Sequence, residues 1–347
     1  MGQSPDSSSY NNNCIGLPLV QGNADMCERI ATPQRYTSQP TKICEAGSII
    51  LSVRAPVGTV GKTFQKICLG RGVCGITSKN IEFMYQYLLN NENSWRHIEQ
   101  GGTFTAINSD DIKSFPIILP SLPEQKKIAD FLSLIDQRIE KQRQLVENLK
   151  KYKRGLLSAI FDRKLRFKDT DFSLWKNVRL SECCLGFDNK RQPISSELRE
   201  KGTVPYYGAN GIQDYVKDYI FDGEYILLAE DGGHFDEFQT KPIAQYITGK
   251  SWVNNHAHIL QATEKDCTKY IYYALVHKDI RKYINGSSRA KLNQEDMWQI
   301  VILLPNLKQQ IKIAQFMSSI DKILSIEEKM LTVLEEKKQG LLQQMFI

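Results

Sequence analysis

A 42-residue segment occurs twice in this chain at a constant offset of 185 residues, and that repeat constrains the fold more than any other feature. One copy starts at Pro120 with PSLPEQKKIADFLSLIDQ and the other at Pro305 with PNLKQQIKIAQFMSSIDK. The copies align without a gap through Phe161 and Phe346, and 16 of the 42 positions are identical. Gln125/Gln310, Ala129/Ala314, Asp136/Asp321, Lys153/Lys338 and Gly155/Gly340 are among them. The offset also runs backwards, pairing Asn108 with Asn293 and Asp111 with Asp296.

Both copies read as long helices. With Ile128 at position d of a heptad, d continues through Ile135, Gln142, Leu149 and Leu156, and a through Leu132, Ile139, Val146, Lys153 and Ile160. The second copy gives Ile313, Ile320, Glu327, Leu334 and Leu341 with Met317, Leu324, Leu331, Lys338 and Met345. The two polar interruptions fall at the same places in each copy. A stripe sustained over five heptads predicts that the helices pair as a coiled coil. An antiparallel pairing would let Lys153 meet Glu327 and Gln142 meet Lys338, so that no lysine is buried alone. The alternative is that both lysines extend their heads to water.

Each helix follows a segment of different character, rich in Gly, Tyr, Val, Ile and Asn. Strand-like runs at Gly47–Val53 and Tyr225–Ala229 alternate with turn signals at Asn210-Gly211, Asp231-Gly232-Gly233 and Asn285-Gly286. Helical stretches are expected at Ile81–Ile98 and Asp266–Ile284. The predicted class is α+β: two globular mixed α/β domains on two long antiparallel helices, with a pseudo-twofold repeat. The predicted bounds are 1–119 and 165–304 for the domains, and 120–164 and 305–347 for the helical spacers. The helices match while the domains diverge, which predicts one frame carrying two different binding surfaces.

Charge alone does not point to nucleic acid. The net charge is +6, and residues 162–304 hold 20 basic and 20 acidic side chains. No stretch approaches the ~20 apolar residues of a membrane span, and the opening MGQSPDSSSYNNN is no signal peptide. A cytoplasmic location is therefore expected. The eight cysteines contain no C-x-x-C pair and read as buried or idle thiols.

Several chemistries are disfavoured. GTVGKT at 58–63 ends like a phosphate loop, but the first glycine of that motif is replaced by Pro56. Asp111 with Glu124-x-Lys126 has nuclease residue types, yet Glu124 follows Leu122-Pro123 as at a helix entry. His256 and His258 share a face if WVNNHAHIL is a strand. No acid or cysteine lies beside them in sequence, so hydrogen-bonded or DNA-facing histidines are expected. No metal site is expected, and the glycine-rich loop and Asn-Pro-Pro-aromatic run of an adenine methyltransferase are absent from the sequence.

The chain resembles the specificity subunits of Type I restriction-modification systems. The resemblance rests on P-x-L-P-E-Q-K-K-I-A-x-F-L-x-x-I-D at 120–136 and its repeat at 305–321. It also rests on VPYYGANG at 204–211, EYILLAEDGG at 224–233 and WVNNHAHIL at 252–260. It implies a non-catalytic subunit without a cofactor, whose two target-recognition domains lie at opposite ends of antiparallel helices. The implied partners are double-stranded DNA, methyltransferase (modification) subunits using S-adenosylmethionine, and a restriction motor-nuclease subunit using ATP, joined mainly through the helices. One departure is that FSLWKNVRLSECCLGF at 172–187 opens the second domain and has no counterpart before MGQSPDSS. Either the start is truncated or the first domain lacks an opening strand.

Sequence readout needs Arg or Lys for guanine and Asn or Gln for adenine. The DNA-contact candidates are Gln21, Asn23, Arg54, Lys62 and Arg71 in the first domain, and Asn210, His234, Arg289 and Lys291 in the second. The expected target is bipartite and asymmetric, its half-site centres about one turn, ~10 base pairs, apart. Two rival readings are an enzyme, which would act alone on DNA, and a coiled-coil scaffold, which would select no sequence.

Overall fold

The computed structural model describes residues 1–98, 106–165, 175–286 and 290–346, which fall into two compact units. The first comprises Met1–Arg143 with Lys329–Ile347, and the second Gln144–Glu328. Each unit thus contains one globular segment and parts of both long helices. No described helix is long and apolar enough to cross a membrane.

In the first unit two five-stranded sheets are built from strands of two to four residues. The apolar run expected near Gly47–Val53 forms the strand Ile49–Ser52, buried along its length and antiparallel to Val73–Ile76. The helix Ile81–Asn90 covers this sheet, with Met84, Tyr85 and Leu88 in the core beside Trp95. Asn80 caps it, its side-chain oxygen accepting from Phe83 N at 3.1 Å. The helical stretch expected over 81–98 breaks at Asn91, whose side chain donates to Tyr87 O, and resumes as Glu92–Ile98.

The second unit is organised on a six-stranded sheet. Its order is Cys184–Gly186, Ala257–Ala262, Phe221–Ala229, Ala244–Val253, Lys201–Gly208, Gly211–Val216. Tyr225–Ala229 ends the third of these strands, as expected. The Asn210-Gly211 signal closes the last hairpin, where Gly211 at φ +132° occupies a conformation that L side chains rarely adopt. The helix Thr268–Leu275 packs Tyr270, Ile271 and Leu275 onto the sheet. It ends short of the expected Ile284, and a 3-10 turn at Arg281–Tyr283 follows.

The two long helices are Leu122–Phe161 and Leu307–Met345. Every a and d position of the predicted heptads is buried or half-buried, including Gln142 and Glu327. The helices run antiparallel in each unit. Asp136 with Lys338 and Arg143 with Glu335 show this in the first, and Lys150 with Glu328 and Lys153 with Asp321 in the second. The repeated Gln125 and Gln310 perform one task twice. Each is buried and donates from Nε2 at 2.9 Å to the carbonyl of Pro120 or Pro305, fixing the chain's entry into its helix.

The expected register is corrected. Lys153 meets Asp321 at 2.6 Å instead of Glu327, and Lys338 meets Asp136 at 2.5 Å instead of Gln142. The heads do not simply extend to water either. Each a-position lysine reaches an aspartate at the flanking e position of the facing helix, which spares the centre of the seam a second charged group.

The runs that precede the two long helices differ in their pairing. In the second unit Lys176–Arg179 pairs antiparallel with Val301–Leu304, immediately before the second long helix. The equivalent run before the first helix is Pro116–Leu119. No described strand pairs with it, and Ile118 and Leu119 are 70% and 56% exposed.

Candidate nucleic-acid interface

Four of the five first-domain candidates converge on one cleft of about 520 Å³. Gln21 and Asn23 come from the turn after the strand Leu17–Val20, Arg54 from the turn after Ile49–Ser52, and Arg71 from the tip joining Ile67–Leu69 to Val73–Ile76. The glycines around Arg71 explain this convergence. A Cβ on Gly72 would lie 2.1 Å from Gln21 O, and one on Gly70 would lie 2.9 Å from Gln21 Cα. Only glycine lets the tip press against the Gln21 turn, which sets Arg71 beside Gln21. Gly70 N donates to Val20 O at 2.7 Å, Val53 N to Gly72 O at 2.9 Å, and Arg71 N to Ser4 Oγ at 3.2 Å.

The polar groups of this cleft are partly held by internal hydrogen bonds. Gln21 donates from Nε2 to Tyr10 OH at 2.9 Å, which fixes the position of its carboxamide. The Asp25 carboxylate is occupied by the backbone amides of Gln21 and Gly22. Arg54 and Arg71 are exposed, and among the described residues neither guanidinium has an ion-pair partner. Two unpaired guanidiniums with two carboxamides are the residue types that read guanine and adenine edges or grip phosphate. Lys62 does not join them. It pairs with Glu82 at 2.5 Å and lies 4.0 Å over the Tyr85 ring, bracing a sheet against the helix Ile81–Asn90.

The second unit offers a smaller hollow of about 290 Å³ lined by Asn210, Gln213, Asp231 and His256, among others. Asn210 donates from Nδ2 to Gly232 O at 2.8 Å, which joins two of the sheet's loops. His256 Nδ1 lies 2.5 Å from Asp231 Oδ1, and Asn254 donates to Gln213 Oε1 at 3.0 Å. His234 is half-buried at the start of the turn Phe235–Glu237 and does not line the hollow. Lys291 lies in the strand Lys291–Leu292 and pairs with Glu230 at 3.2 Å. Arg289 lies outside the described residues, as does most of the GSSR stretch around it.

The second unit also holds a largely buried charge network that sequence proximity did not reveal. His258 Nδ1 meets Asp188 Oδ2 at 2.5 Å and Nε2 meets Leu292 O at 2.8 Å. Arg191 reaches Glu230 at 2.5 Å and Asp188 at 3.5 Å. Burial alone would raise the Asp188 carboxyl. The hydrogen bond and charge of His258, the Ile259 amide and Arg191 outweigh it and hold the group below its ordinary value. Asp188, Glu230 and His258 have the residue types of a metal site. Their donors are already taken by Arg191, Lys291 and Leu292 O, so the cluster fits a structural network and not a cation. The acids come from 70 and 28 residues upstream, so only the tertiary fold brings them to His258.

Two other motifs resolve into local structure. Asp111 closes a capping box: Asn108 Oδ1 accepts from the amides of Asp110 and Asp111, and Asp111 Oδ2 accepts from Asn108 N. The GTVGKT segment runs into the strand Val60–Lys62, with Gly58 against Trp95. The cysteines are free, and five of the eight are buried. Burial pushes the Cys74 thiol up to about 11.

Comparison with known proteins agrees with this architecture. The sequence pattern of the family described as Type I restriction modification DNA specificity domain matches residues 4–150 and 173–336. A putative type I restriction enzyme MjaX specificity subunit of Methanocaldococcus jannaschii is 39% identical over 172 residues, 48% of this chain and 40% of that protein. The putative specificity subunit S.HindORF215P of Haemophilus influenzae is 37% identical over 151 residues, 44% of this chain and 38% of that protein. The chain therefore spans about two fifths of the length of each of these relatives. In fold it is similar to the S subunit of a Type I restriction-modification system from M. genitalium. The TM-score is 0.63 at 18% identity, covering 100% of this chain and 92% of that one. With matches to both halves of its repeat, the chain belongs to the Type I restriction-modification specificity-subunit family.

Proposed function

We propose that this chain is the non-catalytic, DNA-reading subunit of a cytoplasmic Type I restriction-modification enzyme. It recognises a bipartite, asymmetric target, and it docks methyltransferase and restriction motor-nuclease subunits. The observation that carries the reading is the cleft of Gln21, Asn23, Arg54 and Arg71, where two exposed guanidiniums with no ion-pair partner among the described residues line one hollow of an otherwise charge-balanced domain. The second domain presents a different set around Asn210 and His256, with Lys291, His234 and Arg289 as further candidates. Two unlike surfaces on one repeated frame support a target whose halves differ. The long helices keep apolar side chains exposed off the seam, Phe131, Leu134, Ile323, Ile326 and Met330 among them, which favours docking of partner subunits there.

Methylome mapping in a cell carrying this chain with its partner subunits tests the proposal. Two short specified segments with an unspecified gap are expected. Arg71→Ala or Arg54→Ala should weaken or relax one segment only, by about 1–3 kcal/mol per lost base contact, in competition binding with defined duplexes. A single continuous palindrome would sink the reading. So would methyl transfer or cleavage by the purified chain alone.

A further inference from the structure

The repeat places the same three-part junction in each unit. In the first, Asp136 Oδ1 holds Lys338 Nζ at 2.5 Å, while Oδ2 accepts from Gln86 Nε2 at 2.6 Å. In the second, Asp321 Oδ1 holds Lys153 Nζ at 2.6 Å, while Oδ2 accepts from the Tyr273 hydroxyl at 2.5 Å. Gln86 and Tyr273 belong to the helices that cover the two recognition sheets, and both are buried. One carboxylate in each unit therefore binds its recognition domain with one oxygen and the facing long helix with the other. Both lysine side chains are only 15% exposed, so neither head can be abandoned cheaply.

Neighbouring registers fail by electrostatics. The remaining a and d positions are nearly all Leu, Ile, Val or Met, which tolerate a slide of one heptad in either direction. One slide sets Lys153 opposite Ala314 and Lys338 opposite Ala129, with Asp321 and Asp136 facing Val146 and Leu331. All four charges are then unpaired. The other slide gives Lys153 a partner in Glu328 but drives Lys338 against Arg143. Only the observed register pairs both lysines.

We propose that Asp136–Lys338 and Lys153–Asp321 are positioning pairs that fix the length of the unspecified gap in the DNA target. This rests on the bipartite reading above. A slide of one heptad moves one helix by about 10.5 Å along the other, at ~1.5 Å per residue. That is about three base pairs of duplex at ~3.4 Å each. Phe346, packed edge-on against Phe83 and Tyr87, favours the same register in the first unit, so losing the pairs relaxes the gap and does not switch it.

The test uses the whole chain assembled with its partner subunits. Lys153→Met with Lys338→Met replaces both buried cations by flexible apolar chains. The expected result is a folded protein with a lowered melting temperature, because Asp136 and Asp321 lose their countercharge. With it, the ratio of methylation at the native gap to that at gaps shifted by about three base pairs should fall about tenfold. The specified segments should stay unchanged. Exchanging the charges of both pairs (D136K, K338D, K153D and D321K together) should restore the ratio. Asp136→Asn with Asp321→Asn, which keeps polar contact to Gln86 and Tyr273, gives a second route should the methionine protein fold poorly. A folded variant of either kind that keeps the parent's gap selectivity overturns the proposal, as does a change in the specified bases. If the parent itself shows no bipartite motif, it is the functional reading that fails.

Discussion

Asp188 shows how one side chain can carry much of a domain's polar core. Its carboxylate is 6% exposed and accepts from Ile259 N at 2.8 Å while facing His258 and Arg191. Asp188→Asn keeps the shape but leaves His258 and Arg191 without that countercharge. Such a break costs about 3–5 kcal/mol when one member of a buried ionic network is removed. Denaturant unfolding of parent and variant at neutral pH checks it, and a loss under about 1 kcal/mol would contradict it. The pH dependence has a definite sign. The folded group titrates below its ordinary value, so its contribution is complete above the ordinary carboxylate range and is lost as pH falls through the lowered one. The gap between parent and variant should hold steady from neutral pH to about pH 5 and close below about pH 4. The histidine of this network was visible in WVNNHAHIL, but its acids were not, because spacing along the chain carries no record of contacts made across a sheet. The first-domain cleft was more legible. Gln21, Asn23, Arg54 and Arg71 stand in turns, where side chains escape the sheet, although their convergence depends on how closely Gly70 and Gly72 approach Gln21. The contacts of Lys62 to Glu82 and Tyr85 were not legible, because a lysine at a strand end reads the same whether it faces solvent or braces a neighbouring helix.

Among elements, the long helices were the most readable, since a heptad stripe depends only on local spacing. Their register was not, because the choice turned on whether the lysines pair with d or with e positions of a distant segment. Short strands were readable where they are fully buried, as at Ile49–Ser52, and less so where two-residue pairings such as Tyr10–Asn11 with Tyr36–Thr37 depend wholly on tertiary context. The runs before the two helices give a direct comparison of covered and uncovered elements. Ile302 lies in a strand paired with Lys176–Arg179 and is 1% exposed, whereas its repeat counterpart Ile117 is 38% exposed. Ile302→Ala should cost about 2–5 kcal/mol through lost burial and the cavity it leaves. Ile117→Ala should cost less than about 1 kcal/mol. Unfolding followed by hydrogen exchange in each unit separates the two. Equal costs would mean that Pro116–Leu119 is covered in solution.

At the scale of the whole chain, the proposed reading makes helix length a property of the target. If the gap depends only on the number of heptads between the two junctions, it should change only when both helices change together. Inserting one heptad into the first helix between Arg143 and Lys150, and one into the second between Glu328 and Glu335, preserves both junctions and the a/d stripe. These points lie between Asp136 and Lys153 and between Asp321 and Lys338, so each lysine still meets its own aspartate. The expected product reads both original segments with the gap lengthened by about three base pairs, since seven residues add about 10.5 Å of helix. An insertion into the first helix alone gives a sharper contrast. It satisfies one junction only by breaking the other, leaving an aspartate and a lysine without their partners, so stability and methylation should both fall. Methylome mapping of the two insertions in parallel decides the matter. If the single insertion lengthens the gap as cleanly as the double one, helix length alone is the ruler and the junctions are incidental. If the double insertion alters the specified bases, the helices and the recognition surfaces are not separable as the repeat implies.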